Sequence, residues 1–263
     1  MTVQDLGEAL ATLRANQPLV QCLTNVVASN WTANVLLAVG ASPAMVDNPH
    51  EAAAFAEIAG GVLINLGTPF DDTAQAMHLT VASACESRTP WVLDPVAAGV
   101  LSWRTDLAHQ LLDEGRPAIV RGNASEILAL AGGVGGRGVE SVDSPETAAE
   151  AARVLSLEHR CVIAVSGPVD LVTDGVRLVR IANGHPWLTR VTGVGCALGA
   201  LMAAFAAVTV DAVVAAAAAS ATLGVAGDIA ATKSHGPGSF AVALLDELSS
   251  LEPHDLVEHS RLN

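Results

Sequence analysis

The chain has 263 residues, 51% of them hydrophobic, and a formal net charge of −14 with Lys233 as its single lysine. That balance argues against a nucleic-acid or anionic-membrane surface as partner, because both demand a positive face, so any anionic ligand has to be held locally. A chain of this size buries roughly 70–75% of its unfolded surface and folds without staples. Its four cysteines, Cys22, Cys85, Cys161 and Cys196, lie far apart with no C-x-x-C pair, and so read as reduced thiols of a cytosolic protein rather than as zinc ligands or disulfides.

The N-terminal segment MTVQDLGEALATLRANQP has no basic stretch followed by an apolar run, and a leader is not expected from it. Short apolar or β-branched runs of strand length then recur at 18–25, 42–46, 61–67, 90–95, 118–123 and 161–167. Helix-like segments fill the intervals at 30–39, 49–59, 71–87, 104–112, 124–131 and 145–158. Two of them open on recognisable starts: Asn123 with Glu126 three residues on, and SPET from Ser144. Strand followed by helix, repeated in this way, predicts a mostly parallel sheet with right-handed crossovers and helices on both faces.

After Gly167 the pattern changes to DLVTDGVRLVRI, two runs around Asp174-Gly175, which predicts a hairpin and an antiparallel edge. The nearly uncharged stretch at 194–227 resembles a membrane span in composition, with a mean hydropathy of +0.44 for the whole chain. Thr209 and Asp211 interrupt it, and Asp211 can cap a new helix, so two buried helices of roughly 13–17 residues are the better reading. A last helix is expected from GPGS to about Leu251. Apart from a glycine-rich loop at 132–138 nothing marks a boundary, and residues 1–263 read as one α/β domain.

In an open parallel sheet, ligands bind beyond the carboxyl ends of the strands. Asn25, Met45, Asn65, Asp94, Arg121, Asn123 and Ser166 end strands or begin the loops after them, and should rim one crevice. The loop TGVGCALG at 192–199 opens a long apolar helix. Its G-x-G-x-x-x-G spacing and late position fit neither a dinucleotide fingerprint nor a P-loop, which ends in G-K-[ST]. Gly193 and Gly195 allow a tight turn, and the amides of Gly193, Val194, Gly195 and Cys196 can face an anion with the helix dipole behind them; close packing of helix on strand is the alternative.

Asp94 and Glu126 are the carboxylates best placed to hold Mg²⁺, directly or through water, although Asp94 can also serve as a turn former and Glu126 as part of a capping box. Arg121 can reach a phosphate or form an ion pair; Ser166 can contact phosphate or close a turn; Met45 can line a flat ring or fill core. The residues alone lead to an α/β protein with an anion-binding crevice suited to phosphoryl transfer.

The block PLVQCLTNVVASNWTANVLLAVGASPAMVDNPHE, with LDPVAAG, RGNASEI, AVSGPVDLVTDG, TGVGCALGA and GPGSF, closely resembles the hydroxyethylthiazole kinase family from about Pro18 to Leu251. The resemblance implies a ribokinase-like three-layer α/β/α fold without a separate lid domain. It also implies ATP- and Mg²⁺-dependent phosphorylation of 4-methyl-5-(2-hydroxyethyl)thiazole in thiamine biosynthesis or salvage. By the same resemblance Met45 and Gly193 match thiazole-binding positions, with Asn25 beside them, Arg121 and Ser166 match ATP-binding positions, and Cys196 matches the catalytic base. Asp94 and Glu126 match acidic positions near the metal. A homotrimer with the pocket between subunits is implied as well. The related hydroxymethylpyrimidine (phosphate) kinases usually open with a glycine-rich SDxSGGAG-like segment that this chain lacks, and a non-catalytic metabolite-binding relative is the remaining alternative.

Overall fold

The computed structural model describes residues 1–132 and 145–263. In chain order its elements are α1 (Val3–Asn16), β1 (Leu19–Leu23), α2 (Ser29–Val39), β2 (Ser42–Ala44), α3 (Ala52–Ile58), β3 (Gly61–Asn65) and α4 (Asp71–Ser87). They continue through β4 (Trp91–Asp94), α5 (Ser102–Glu114), β5 (Ile119–Asn123), α6 (Ala124–Leu130), α7 (Pro145–His159), β6 (Val162–Ser166), β7 (Asp170–Thr173) and β8 (Leu178–Ile181). A short 3₁₀ turn, Pro186–Arg190, leads to α8 (Val194–Ala206), α9 (Ala212–Thr232), α10 (Pro237–Ser250) and α11 (Pro253–His259).

The strands form one eight-stranded sheet in the order β2-β1-β3-β4-β5-β6-β7-β8. The first six are parallel, and β7 and β8 are the expected antiparallel edge. Central strands are buried on both faces, which is why each reads as a continuous apolar run. Their side chains alternate: Val20, Leu63, Val92 and Ile119 join the core under α1, α2, α8, α9 and α10, whereas Val62, Ile64, Leu93 and Val120 join the core under α3 to α7. The result is a three-layer α/β/α architecture, and the described residues form no separate lid.

Several expectations shift in detail. α3 starts at Ala52, not 49, because the Asn48 carbonyl accepts from the Ala52 amide (2.9 Å) and its side chain from the His50 amide (3.0 Å), making a turn first. Asp211 does cap α9, accepting from the Val213 amide at 2.9 Å, but α9 runs for 21 residues, longer than expected, since neither Gly224 nor Gly227 interrupts it. α1, α11 and the 3₁₀ turn were not anticipated. Among the described residues α9 is the one helix long and apolar enough to cross a membrane; 78% of that window is buried, under α1, α8 and α10. The glycine loop beyond Gly132, and Ser144 as a helix cap, lie outside the described residues.

α8 lies close on the sheet. A side chain at Gly61 would run into the Ala203 carbonyl, and one at Gly199 would meet Leu63 at 2.9 Å. This contact brings the N-terminus of α8 over the carboxyl ends of the central strands.

Candidate active site

Asn25, two residues past β1, shapes the turn into α2: its side-chain oxygen accepts from the Ala28 amide at 2.9 Å, and its carbonyl from the Ser29 amide at 3.0 Å. With the amide oxygen held, Nδ2 is aimed at two acceptors, Asn65 Oδ1 at 2.8 Å and Cys196 Sγ at 3.2 Å. Asn65, at the end of β3, passes the connection on by donating to Asp94 Oδ2 at 2.6 Å. Asp94 ends β4 and is fully buried; Arg121 of β5 lies 3.4 Å from its carboxylate. The same guanidinium donates through Nε and Nη2 to Ser166 Oγ of β6, at 3.2 and 3.0 Å. A hydrogen-bonded chain thus runs Cys196–Asn25–Asn65–Asp94–Arg121–Ser166 across the sheet.

The glycines of the late loop divide the two readings between them. Gly193 caps α8 with φ +86°, a left-handed conformation that favours glycine, and a side chain there would also press on Ala28 at 3.1 Å. At Gly195 a Cβ would sit 3.2 Å from Arg121 Nη2, so the missing side chain leaves the first amides of α8 open toward the guanidinium. Gly199 is the packing glycine, against Leu63 and 3.6 Å from Asp94. An anion lying between the α8 N-terminus and Arg121 meets positive dipole ends on one side and a fixed cation on the other.

Burial raises Asp94 from 3.8 to about 6, with Glu126 adding to the rise, while Arg121 and the Asn65 hydrogen bond oppose it. Cys196 is also raised, by burial first and by the Asp94 charge second, against the hydrogen bonds from Asn25 and Asn65 and the charge of Arg121. The N-terminus of α8 does not offset this rise, because a half-buried sulfur beside a buried carboxylate is the wrong place for negative charge. Cys22 and Cys161 are pushed by burial to about 12 and are inert.

Glu126 does form the capping box, with Asn123 accepting from the Glu126 amide (2.9 Å) and Glu126 Oε2 from the Asn123 amide (2.8 Å). Its Oε1 accepts from the amide of Ala97 at 2.9 Å, a residue with φ +65° just past Asp94. The capping role therefore coexists with a position whose charge reaches Asp94. Arg121 likewise forms the ion pair that was its alternative reading, inside the crevice. Met45 stands apart from the chain of hydrogen bonds, one residue past the edge strand β2, and at 36% exposure it is not core. Asn65 was placed on the rim without a role; its contacts join residues far apart in sequence, and a strand-end asparagine is the only local signal. No group of three or more His, Cys, Asp or Glu able to hold a metal occurs among the described residues.

Comparison with known proteins gives a consistent result. The sequence pattern of the hydroxyethylthiazole kinase family matches residues 10–254. A hydroxyethylthiazole kinase of Cutibacterium acnes is 52% identical over 258 residues, covering 98% of this chain and 93% of that protein. The solved hydroxyethylthiazole kinase of Pyrococcus horikoshii OT3 superposes with a TM-score of 0.91 at 37% identity, covering 98% of each chain. A ribokinase-like superfamily protein of Enterococcus faecalis V583, at 15% identity with a TM-score of 0.56 over 95% of this chain and 83% of its own, shares the fold. The chain belongs to the hydroxyethylthiazole kinase family.

Proposed function

We propose that the chain transfers the γ-phosphate of ATP to the hydroxyl of 4-methyl-5-(2-hydroxyethyl)thiazole, the reaction its family serves in thiamine salvage, and that one domain spanning the whole chain does so in the cytoplasm. The observation that carries the site assignment is the continuous polar chain from Cys196 to Ser166 beneath the open N-terminus of α8. The thiazole alcohol lies by Cys196, Asn25 and Gly193, with Met45 closing the pocket. ATP lies by Arg121 and Ser166, and its terminal phosphate faces the amides of Gly193 to Cys196. Phosphoryl transfer asks for positioning and charge stabilisation more than covalent chemistry, and these groups supply both.

The donor set fits a hydrated Mg²⁺. Asp94 Oδ1 and both oxygens of Glu126 each accept one hydrogen bond and keep a further lone pair, while Asp94 Oδ2 already accepts from Asn65 and Arg121, which suits an ion held through its waters rather than caged. Bound there, the ion would neutralise charge on the phosphates. Arg121 orients the phosphate chain, exchanging the Asp94 and Ser166 contacts for phosphoryl oxygens. Only the thiolate of Cys196 can accept the hydroxyl proton; the alkoxide oxygen then bonds to the γ-phosphorus as the bond to ADP breaks. Asn25, donating to Sγ, steadies the thiolate when it forms.

Purified protein given ATP, Mg²⁺ and either the thiazole alcohol or hydroxymethylpyrimidine, with products followed by ³¹P NMR, tests the function. A phosphate monoester of the thiazole alone is expected; a pyrimidine phosphate, or no ester from either alcohol, defeats the reading.

Arg121→Ala is expected to weaken ATP by roughly 2–5 kcal/mol, because a phosphate contact is lost from a water-poor site, while thiazole affinity stays nearly constant. Titration calorimetry with each ligand separates the two, and ATP affinity equal to wild type would remove Arg121 from the site.

Val26 (72% exposed) and Val27 (63%) follow Asn25 directly, and Phe70 (63%) lies two residues past Thr68, whose Oγ1 accepts from the Val26 amide; all three are apolar side chains left open. A second subunit covering them would complete the thiazole pocket, and a homotrimer does so with closed symmetry. Activity per protomer is then expected to fall on dilution through the dissociation range. Full activity in a monomer demonstrated by light scattering would count against a shared pocket.

A further inference from the structure

The end of the sheet opposite the crevice holds a second cavity of about 780 Å³, beneath the first residues of β4, β5 and β6. Its walls include Arg88, Arg116, Arg160 and Arg177, four of the 13 basic residues in a chain of charge −14. Arg177 is committed to Asp174 at 2.7 Å and Asp211 at 2.6 Å, the two acidic residues of the lining. Arg88, Arg116 and Arg160 have no carboxylate partner among the described residues. Arg116 Nε donates to the carbonyl of Arg160, which ties those two residues together and leaves the terminal amino groups of Arg116 unused.

The backbone adds an independent observation. Non-glycine residues with positive φ are Gln17, Arg88, Ala97 and Arg160 among the described residues, and both arginines, at +61° and +53°, line this cavity. Each ends a helix just before a strand, a position where glycine adopts the left-handed conformation without strain. A cation there also suits the helix dipole, but the dipole alone does not require that two such arginines meet a third around one hollow. Half-exposed Leu157 and fully exposed Val210 give the same walls apolar surface, and the indole N–H of Trp91, another wall residue, has no partner.

We infer that this basal cavity binds a small organic phosphate, its phosphoryl oxygens held by Arg88, Arg116 and Arg160 and its apolar part resting on Leu157 and Val210. Planar guanidinium groups match phosphoryl oxygens two at a time, and in an acidic protein three of them without carboxylate partners around one hollow form a second place, besides the crevice, prepared for such charge. The site is separate from the crevice by the length of the strands: Trp91 stands at its end of β4 and Asp94 at the other, and Val162 and Ser166 divide β6 in the same way.

Phenyl phosphate, titrated at low ionic strength and followed by calorimetry, is the probe. The double variant Arg88→Gly/Arg160→Gly places glycine where the backbone already favours it, so its fold and thermal midpoint are retained while two guanidinium groups go; Arg116→Gln gives an independent third removal. Affinity is expected to drop at least about tenfold in the double variant and in Arg116→Gln, whereas Arg121→Ala removes only binding at the crevice and leaves this basal component in place. Equal affinity in wild type and the double variant, loss confined to Arg121→Ala, or no wild-type binding up to about 10 mM would each overturn the assignment.

Discussion

Replacing Asp94 by asparagine is expected to give a protein that is more stable at neutral pH and nearly inactive. Asp94 is fully buried, and its rise from 3.8 to about 6 means that the folded state resists its ionisation even with Arg121 beside it. The sign follows from proton counts. Between about pH 4 and pH 6 the unfolded chain has lost this proton and the folded chain keeps it, so stability declines as pH rises through that window. Above it the full difference, roughly 3 kcal/mol at about 1.36 kcal/mol per pKa unit, weighs against the folded state. Asparagine mimics the protonated acid, accepts the same Asn65 donor and escapes this cost. Urea unfolding of both proteins is expected to coincide near pH 4 and to diverge in favour of the variant above pH 6. Turnover meanwhile should fall about 10²–10³-fold, because the group that anchors Arg121, and that we propose helps to hold the hydrated ion, has lost its charge. A variant less stable than wild type at pH 7.5 would show that the Asp94 charge is structural rather than held ready for the reaction.

The sheet was legible because its strands are buried on both faces and punctuated by glycine, proline and asparagine; the hairpin was legible from Asp174-Gly175. α1 was passed over although Thr2 and Asp5 form a capping box, with Thr2 N to Asp5 Oδ2 at 2.6 Å, since its even mixture of polar and apolar residues was weighed only as a leader. The rim residues Asn25, Asp94, Arg121 and Ser166 were found by position, at strand ends. Their connection was not, because it passes through Asn65 by hydrogen bonds spanning 40 and 29 residues of sequence, which leave no local periodicity. The thiol's raised pKa was equally out of reach: it depends on how deeply Cys196 sinks and how near Asp94 comes, both properties of packing. The glycine loop is the mixed case, where one motif holds a cap at Gly193, an opening toward Arg121 at Gly195 and a packing contact at Gly199.

The largest effect on rate is expected at Cys196. Alanine there removes the proposed proton acceptor while leaving the amides of α8, the Asn25–Asn65 pair and the Arg121 contacts in place, so turnover should fall by about 10²–10⁴ with both substrates still bound. Little else changes, because Asn25 keeps Asn65 and the Ala28 amide as partners after the sulfur is lost. Single-turnover kinetics under saturating ATP and thiazole alcohol measure the effect free of product release. An alanine variant that turns over at the wild-type rate would reduce the thiol to a space-filling group.

The pH dependence of kcat for wild type and for Cys196→Asp reaches the central claim most directly. Burial and the Asp94 charge keep the thiol protonated, so wild-type turnover is expected to climb as pH rises above neutral and thiolate accumulates. An aspartate at the same position, with an ordinary pKa of about 3.9, ionises far earlier, so the variant should keep a substantial part of the turnover and show its rising limb at lower pH. Coincident profiles for the two proteins would contradict proton transfer to residue 196.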